Sequence, residues 1–125
     1  MPISGRSYEI RIGSGFLARS EDESLRPFVG EADCVVVSDH QVAEHYREPM
    51  LALLAGLDAR VRAVITFPPG ERSKTLRTVA GLYGECVRAG LDRKGVVVAL
   101  GGGVTGDMAG FLAATYMRGV DHVQI

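Results

Sequence analysis

The sequence lacks the features that mark membrane, secreted and nucleic-acid-binding proteins. Its longest apolar run, Val96–Leu100, is far shorter than the roughly 20 residues that a membrane-spanning helix needs. The N-terminus has no apolar segment after a basic start, as a secretory signal would have. Lys and Arg number 14 against 15 Asp and Glu, so no excess positive charge attracts nucleic acid. We therefore expect a globular protein that binds neither membranes nor nucleic acid.

Cysteine and histidine are also scarce. Cys34 and Cys86 lie in apolar segments, outside any C-x-x-C or Cys/His pattern, and this placement is typical of buried thiols in a reducing compartment. His40, His45 and His122 are not spaced like a metal-binding set, since the first two fall on different faces of a helix. We expect a cytoplasmic protein with no metal ligands in this chain.

Glycine, by contrast, is abundant: 16 of 125 residues, nearly twice the roughly 7% of an average protein. Hydrophobic residues make up 46% and charged residues 23%, as in ordinary globular domains. Neither a repeat nor a low-complexity tract interrupts the chain. Length and composition therefore predict one domain, residues 1–125.

Apolar periodicity divides the chain into alternating strand-like and helix-like segments. Strands are predicted at residues 8–12, 34–37, 61–67, 96–100 and 121–125. Helices are predicted at residues 39–47, 50–57, 75–89 and 105–117, with a break or kink at Pro49, and a short helix with a loop is predicted at residues 16–28. The continuous apolar strands are typical of a parallel sheet covered on both faces. The predicted fold is α/β and Rossmann-like, with helices on both faces of a parallel sheet. Since the sequence stops at Ile125 inside a predicted strand, we expect a piece of a longer protein.

Residues 101–107 read GGGVTGD and lie between a predicted strand and a predicted helix. Glycines 101, 103 and 106 satisfy the G-x-G-x-x-G pattern. Glycine lets the backbone approach a ligand closely, and the amides at a helix N-terminus favour phosphate oxygens. The pattern predicts pyrophosphate binding, with a tight turn that binds nothing as the alternative. The loop follows the fourth predicted strand, whereas the ordinary dinucleotide fold has its glycine loop after the first.

Charged residues follow two other predicted strands. Asp39 is either a helix cap alone or a cap that also reaches a ligand hydroxyl. Residues 68–74 read PPGERSK, and Glu71 and Lys74 either face a ligand or form a solvated ion pair. Because carboxyl ends of parallel strands share one edge, we predict that these residues and the glycine loop converge on one cleft.

The segments FPPGERSKT (67–75), VALGGGVTGDMAGF (98–111) and ATYMRG (114–119) strongly resemble the 3-dehydroquinate synthase family. The resemblance implies the N-terminal, nucleotide-binding half of the enzyme, without the all-α C-terminal domain. That family converts 3-deoxy-D-arabino-heptulosonate 7-phosphate to 3-dehydroquinate and phosphate in the shikimate pathway. NAD-dependent oxidation, phosphate elimination, reduction and aldol cyclisation follow one another, and the NAD is regenerated.

The resemblance also implies residue roles. Lys74 matches a catalytic position near the substrate. Arg118 matches an arginine that contacts substrate phosphate from a partner subunit, which implies a homodimer; from the residues alone it is a solvated cation at a helix end. The implied cofactor-binding positions are Asp39, Pro69, Gly70, Glu71, Arg72, Ser73, Lys74, Gly102, Gly103, Val104, Thr105, Gly106 and Asp107. The zinc or cobalt of the family is held by one Glu and two His of the other half, so this chain alone is expected to be inactive.

Three alternatives stay open. Another sugar-phosphate cyclase would share these motifs. An iron-dependent alcohol dehydrogenase would share the triple glycine and the aspartate, but neither P-G-E-x-x-K nor A-T-Y-M-R-G is expected in it. A stand-alone nucleotide-binding module without catalysis is the third possibility.

Overall fold

The computed structural model describes residues 8–18 and 23–125, and four parallel strands form its centre. The strands are β1 (Asp33–Asp39), β2 (Arg60–Phe67), β3 (Val96–Leu100) and β4 (Asp121–Gln124). Their order is β2-β1-β3-β4, and every neighbouring pair is parallel. All four carboxyl ends therefore lie at one edge of the sheet.

Helices connect the strands and cover the sheet. They are α1 (Arg26–Val29), α2 (His40–Gly56), α3 (Leu76–Arg88) and α4 (Gly103–Thr115). Short 3-10 turns lie at Phe16–Ala18, Glu23–Leu25, Glu71–Ser73 and Tyr116–Arg118. No helix within the described ranges is long and apolar enough to cross a bilayer.

Successive residues of β1 face opposite sides of the sheet and enter two separate cores. Val35 and Val37 pack with α3 and α4, whereas Cys34 and Val36 pack with α2. Both faces are buried, so the predicted α/β fold with helices on both faces is confirmed. Burial raises the pKa of both cysteine thiols, Cys34 and Cys86, to about 11, which keeps them protonated and unreactive.

The strand predicted at residues 8–12 is wrong. This segment has no regular secondary structure and joins no described strand, and its apolar side chains Tyr8, Ile10 and Ile12 are 86%, 71% and 95% exposed. Glu9 and Arg11 form an ion pair of 2.8 Å along it. An alternating pattern specifies which side chains share a face. A strand also needs a neighbouring strand to form hydrogen bonds with its backbone N–H and C=O groups.

Of the break or kink predicted at Pro49, no break forms, because α2 continues from His40 to Gly56 through the proline. A proline inside a helix costs about 3 kcal/mol, since it removes one hydrogen bond and crowds the preceding turn. Met50, Leu53 and Leu54 follow it and are at most 2% exposed. Burying each such side chain contributes about 1.5–3 kcal/mol, so tertiary packing outweighs the local cost.

The remaining helix predictions hold with shifted ends. Thr75 caps α3 by accepting a hydrogen bond of 3.2 Å from the Thr78 amide. α4 begins two residues earlier than predicted, at Gly103, because the glycine loop itself forms the first turn. Where a short helix with a loop is predicted at residues 16–28, the structure has two 3-10 turns and the start of the short α1, and residues 19–22 lie outside the described residues.

Replacing Pro49 by alanine tests this account of α2. We expect Pro49→Ala to raise the free energy of unfolding by about 1–3 kcal/mol, because the helix regains a hydrogen bond. Urea denaturation followed by circular dichroism measures it, with Pro69→Ala in the exposed loop after β2 as the control. A lower stability in Pro49→Ala would show that the proline ring itself is needed for packing.

Candidate functional site

The switch in strand order creates a crevice at the carboxyl edge of the sheet. From β1 the chain crosses to β2 on one side and then returns to β3 on the other. The loops after β1 and β3 therefore lead away in opposite directions, and open α/β sheets bind ligands at such a point. The Ser38 hydroxyl donates a buried hydrogen bond of 2.8 Å to the Leu100 carbonyl and joins the two strand ends there.

The glycine loop forms one wall of this crevice. Gly101 has φ +150°, and a Cβ there would lie 2.7 Å from the Thr105 hydroxyl oxygen. A Cβ at Gly102 or Gly103 would meet no described atom within 4 Å, so the space in front of α4 is open. Gly102 provides no side-chain cap, and the first turn of α4 contains no acidic residue. The N-terminal amides of α4 are thus available to an anion.

Gly106 has a different role from the exposed glycines. A Cβ there would lie 2.5 Å from the Gln124 side-chain amide on β4. The residue is buried, and its amide donates to the Gly102 carbonyl at 3.0 Å. This glycine allows α4 to pack closely against the sheet, which holds the helix N-terminus at the crevice.

Lys74 links the loop after β2 to α4. Its Nζ lies 2.6 Å from Asp107 Oδ2 and 3.5 Å from Glu71 Oε1. The hydrogen bond to Asp107, then the charges of Asp107 and Glu71, raise the pKa of Lys74 above its ordinary value. The side chain is 41% exposed, so solvent screens these pairs. Lys74 is therefore an ammonium donor at neutral pH and not a free base.

The loop that carries Lys74 is fixed at both ends. Ser73 is buried, and its hydroxyl donates to the Pro68 carbonyl at 2.5 Å. Thr75 then caps α3. Of the other predicted cofactor positions in this loop, the exposed ones are Pro69, Gly70 and Arg72. Ser73 closes the loop from within, whereas these three face solvent.

Asp39 caps α2 and also lies at the crevice. Its Oδ1 accepts a hydrogen bond of 2.9 Å from the Val42 amide. Among the described residues none bonds to Oδ2, and the side chain is half-buried at the end of β1. The cap is observed, and the second oxygen is an acceptor that a ligand hydroxyl would fit.

The structure brings Glu71, Lys74 and Asp107 into contact and places Asp39 and the glycine loop at the same edge. Two further predicted positions lie inside α4: Thr105 is 1% exposed, and Val104 packs partly against the core. Cofactor contact by individual residues stays a prediction.

Arg118 lies away from the crevice. It follows the carboxyl end of α4, whose 13 residues span about 20 Å from the glycine loop. It precedes β4, which pairs with the start of β3 through Asp121 and Val96, so it lies at the amino edge of the sheet. Within one chain, Arg118 and Lys74 belong to opposite edges.

Arg118 also occupies an unusual turn. Met117 has φ 49° and Arg118 has φ 70°, in the left-handed region that residues with a Cβ seldom adopt. Each such residue costs roughly 1–3 kcal/mol. Sequence reasoning treated this segment as the end of a helix and missed the turn, and the only signal was Gly119 directly after it.

Sequence reasoning also missed a shallow pocket of about 320 Å³ beside the N-terminal half of α2. It is lined by His40, Ala43, Glu44, Arg47, Glu48 and Thr66. These residues are mostly exposed and of mixed charge, without a recognisable motif. In the described ranges, no three His, Cys, Asp or Glu side chains form a group that could hold a metal ion.

Comparisons with known proteins show which family this chain is similar to. Residues 64–125 match the family model of the 3-dehydroquinate synthase N-terminal domain. The 3-dehydroquinate synthase of Symbiobacterium thermophilum is 43% identical over 127 residues, which cover 100% of this chain and 35% of that protein. The chain thus spans about a third of the length of the curated relatives that it matches.

Two solved structures share the fold. A 2-epi-5-epi-valiolone synthase from Streptomyces hygroscopicus, with NAD+ and Zn2+ bound, gives a TM-score of 0.79 at 27% identity, over 99% of this chain and 33% of that one. A 2-deoxy-scyllo-inosose synthase complexed with carbaglucose-6-phosphate, NAD+ and Co2+ gives 0.65 at 27% identity, over 82% and 29%. The family model and the sequence relatives together show that the chain belongs to the 3-dehydroquinate synthase family.

Proposed function

We propose that this chain is the NAD-binding domain, residues 1–125, of a 3-dehydroquinate synthase. The reaction converts 3-deoxy-D-arabino-heptulosonate 7-phosphate to 3-dehydroquinate and phosphate, and makes the enzyme a carbon–oxygen lyase. The observation that carries the proposal is the Lys74 bridge to Asp107 and Glu71 beside the uncapped N-terminus of α4. When bound, NAD supplies reversible hydride transfer for the oxidation before phosphate elimination and for the reduction after it.

The crevice fits NAD through two complementary features. The amides of α4 at Gly103 and Val104 suit the pyrophosphate, since Gly102 gives the helix no side-chain cap and a Cβ at Gly103 would meet no described atom within 4 Å. Asp39 Oδ2 suits a ribose hydroxyl, because carboxylates at strand ends accept such bonds. Glu71 offers a second carboxylate acceptor on the other side of the loop. Pro69, Gly70 and Arg72 then border the bound nucleotide.

Lys74 acts as a fixed positive charge in this proposal. Its ammonium is oriented by Asp107, so it can donate a hydrogen bond to a substrate oxygen that becomes negative as the ring alcohol is oxidised. The raised pKa of Lys74 opposes a role as general base. Its partners keep it charged whether or not substrate is present.

Arg118 is proposed to serve the crevice of a second copy. At the far end of a helix of about 20 Å, it is too distant for its own crevice. Its guanidinium would bind the phosphate of the substrate by a bidentate fork. This contribution requires a homodimer with each arginine facing the partner's site.

The described residues provide no ligand set for zinc or cobalt, so they supply no metal-dependent step of the reaction.

The free, buried thiols of Cys34 and Cys86 support the proposal of a cytoplasmic location. Another sugar-phosphate cyclase is the second candidate, because two solved structures with this fold are named 2-deoxy-scyllo-inosose synthase and 2-epi-5-epi-valiolone synthase. The 43% identity to a 3-dehydroquinate synthase favours the first.

The deciding experiment uses the protein encoded by the whole native gene. It measures the release of phosphate from the heptulosonate phosphate in the presence of NAD and either cobalt or zinc. Release with this substrate, but not with a hexose phosphate such as glucose 6-phosphate, supports the synthase. The reverse selectivity would identify another cyclase. NAD binding without any turnover would indicate a nucleotide-binding module.

Gly103→Val tests the pyrophosphate site. We expect the dissociation constant for NAD to rise at least about tenfold, because the branched side chain fills the space before the amides. No described atom lies within 4 Å of a Cβ at this position, so the variant should fold. Gly81→Val on α3, also in open space, is the matched control for titration calorimetry. Unchanged NAD affinity in Gly103→Val would contradict the assigned site.

Arg118→Ala tests the separation of roles. The KM for the phosphate-bearing substrate should rise at least about tenfold while NAD affinity stays unchanged, because a charge-assisted phosphate contact is lost. Arg77→Ala, on the exposed surface of α3, is the control. Equal loss of NAD affinity in Gly103→Val and Arg118→Ala would overturn the division.

Mixing these two variants tests whether Arg118 acts across subunits. A mixed dimer regains one complete site, since one chain supplies the intact glycine loop and the other supplies the arginine. When equal amounts of the two variants exchange subunits at random, about half of the dimers are mixed, and each mixed dimer has one complete site of two. The mixture should therefore regain about a quarter of the native activity. No recovery, despite mixed dimers seen by native mass spectrometry, would place Arg118 in its own crevice or outside the site.

Asp107→Asn tests the electrostatics of the bridge. We expect the pKa of Lys74 to fall, because the residue loses the partner that raises it most. Glu71→Gln should lower the pKa of Lys74 less, since this carboxylate lies farther away, at 3.5 Å. NMR titration of the Lys74 Cε resonance measures both. A larger effect of Glu71→Gln would reverse the assignment of the dominant partner.

A further inference from the structure

Tyr116, directly after α4, is fastened to the core at the amino edge of the sheet. Its side chain is 5% exposed, and its hydroxyl donates a hydrogen bond of 2.8 Å to the Leu91 carbonyl. Its ring stacks on Tyr83 of α3, with centroids 6.3 Å apart and planes 19° from parallel. Burial raises the pKa of the Tyr116 phenol, so the hydroxyl remains a donor. The chain therefore leaves α4 from a fixed point.

A second hydrogen bond strengthens this arrangement. The Tyr83 hydroxyl contacts the hydroxyl of Thr115, the last residue of α4. The hydroxyls of both stacked tyrosines thus hydrogen-bond to residues outside the turn, Thr115 and Leu91. We define the stacked pair Tyr83 and Tyr116 as the tyrosine clamp.

The turn that follows the clamp is costly and exposed. Met117 and Arg118 are left-handed, and the Met117 side chain is 46% exposed, so it contributes little packing to hold the conformation. Two backbone hydrogen bonds close the turn, from the Gly119 amide to the Tyr116 carbonyl and from the Val120 amide to the Ala113 carbonyl, each 2.8 Å. Such conformations persist only where the surroundings fix them, and Tyr116 is the buried side chain next to this turn.

We propose that Tyr116 is a positioning residue: its hydroxyl, bonded to the Leu91 carbonyl, fixes the left-handed turn that presents the Arg118 guanidinium. The inference rests on the proposed function, in which Arg118 binds substrate phosphate. Bidentate binding needs a set direction of approach, and small displacements from it weaken binding strongly. Tyr116 itself touches no substrate.

Tyr116→Phe removes the hydroxyl and keeps the stacked ring. In the protein as its native gene encodes it, we expect the KM for the heptulosonate phosphate to rise about three- to tenfold, as loss of one buried hydrogen bond allows. kcat and NAD affinity should change less than about twofold, because the crevice at the other edge is untouched. Tyr46→Phe, the same change on an exposed residue of α2, is the control.

Two further measurements separate positioning from general stability. Hydrogen exchange at the Gly119 and Val120 amides should accelerate in Tyr116→Phe while β1 amides stay protected. Adding Met117→Asn should restore the KM, because asparagine adopts the left-handed conformation at lower cost. A purely structural loss would not be repaired by this exposed substitution.

The outcomes distinguish the two proposals. If Arg118→Ala raises the KM but Tyr116→Phe changes neither the KM nor the exchange at Gly119 and Val120, the positioning role is wrong and the proposed function stands. If the native protein does not convert the substrate, the proposed function fails. Hydrogen exchange then tests by itself whether the Tyr116 hydroxyl fixes the turn. Unchanged exchange at Gly119 and Val120 in Tyr116→Phe overturns this role, and faster exchange confined to the turn supports it.

Discussion

The parallel pairing of β1 with β2 on one side and β3 on the other is the constraint on which the rest of the structure depends. Parallel strands require crossovers, so the carboxyl ends of β1, β2 and β3 each lead towards a helix that begins at the same edge. The reversal of direction between β1 and β3 opens the crevice, and the Ser38–Leu100 hydrogen bond keeps the two strand ends together. Asp39 and the glycine loop face a shared space for this reason.

Charge is divided between the two edges of the sheet. The carboxyl edge combines Lys74, the carboxylates of Asp39, Glu71 and Asp107, and open helix amides, a mixture that suits a nucleotide with both hydroxyls and phosphates. The amino edge presents Arg118 on a strained turn backed by buried tyrosine. Under the proposed function, a second copy of the chain brings its Arg118 to this carboxyl edge, because Arg118 and Lys74 lie at opposite edges within one chain.

The central strands and the cluster of Glu71, Lys74 and Asp107 could be predicted from the sequence, because continuous apolar runs and glycine-rich strand ends are local signals. Three features could not. Helix α2 passes Pro49 through packing of Met50 against the sheet, which only the tertiary structure reveals. Residues 8–12 alternate like a strand yet form no strand within the part of the chain that the structure describes. The turn at Met117 depends on Tyr116 and Leu91, which are 25 residues apart.

A crystal structure of the complete protein with NAD bound is the most direct test of the central claim. We predict pyrophosphate oxygens within about 2.7–3.2 Å of the Gly103 and Val104 amide nitrogens, and a ribose hydroxyl at Asp39 Oδ2. Lys74 should keep its contact with Asp107 and face the nicotinamide side. A pyrophosphate bound instead in the pocket beside α2, or at the amino edge near Arg118, would contradict the account.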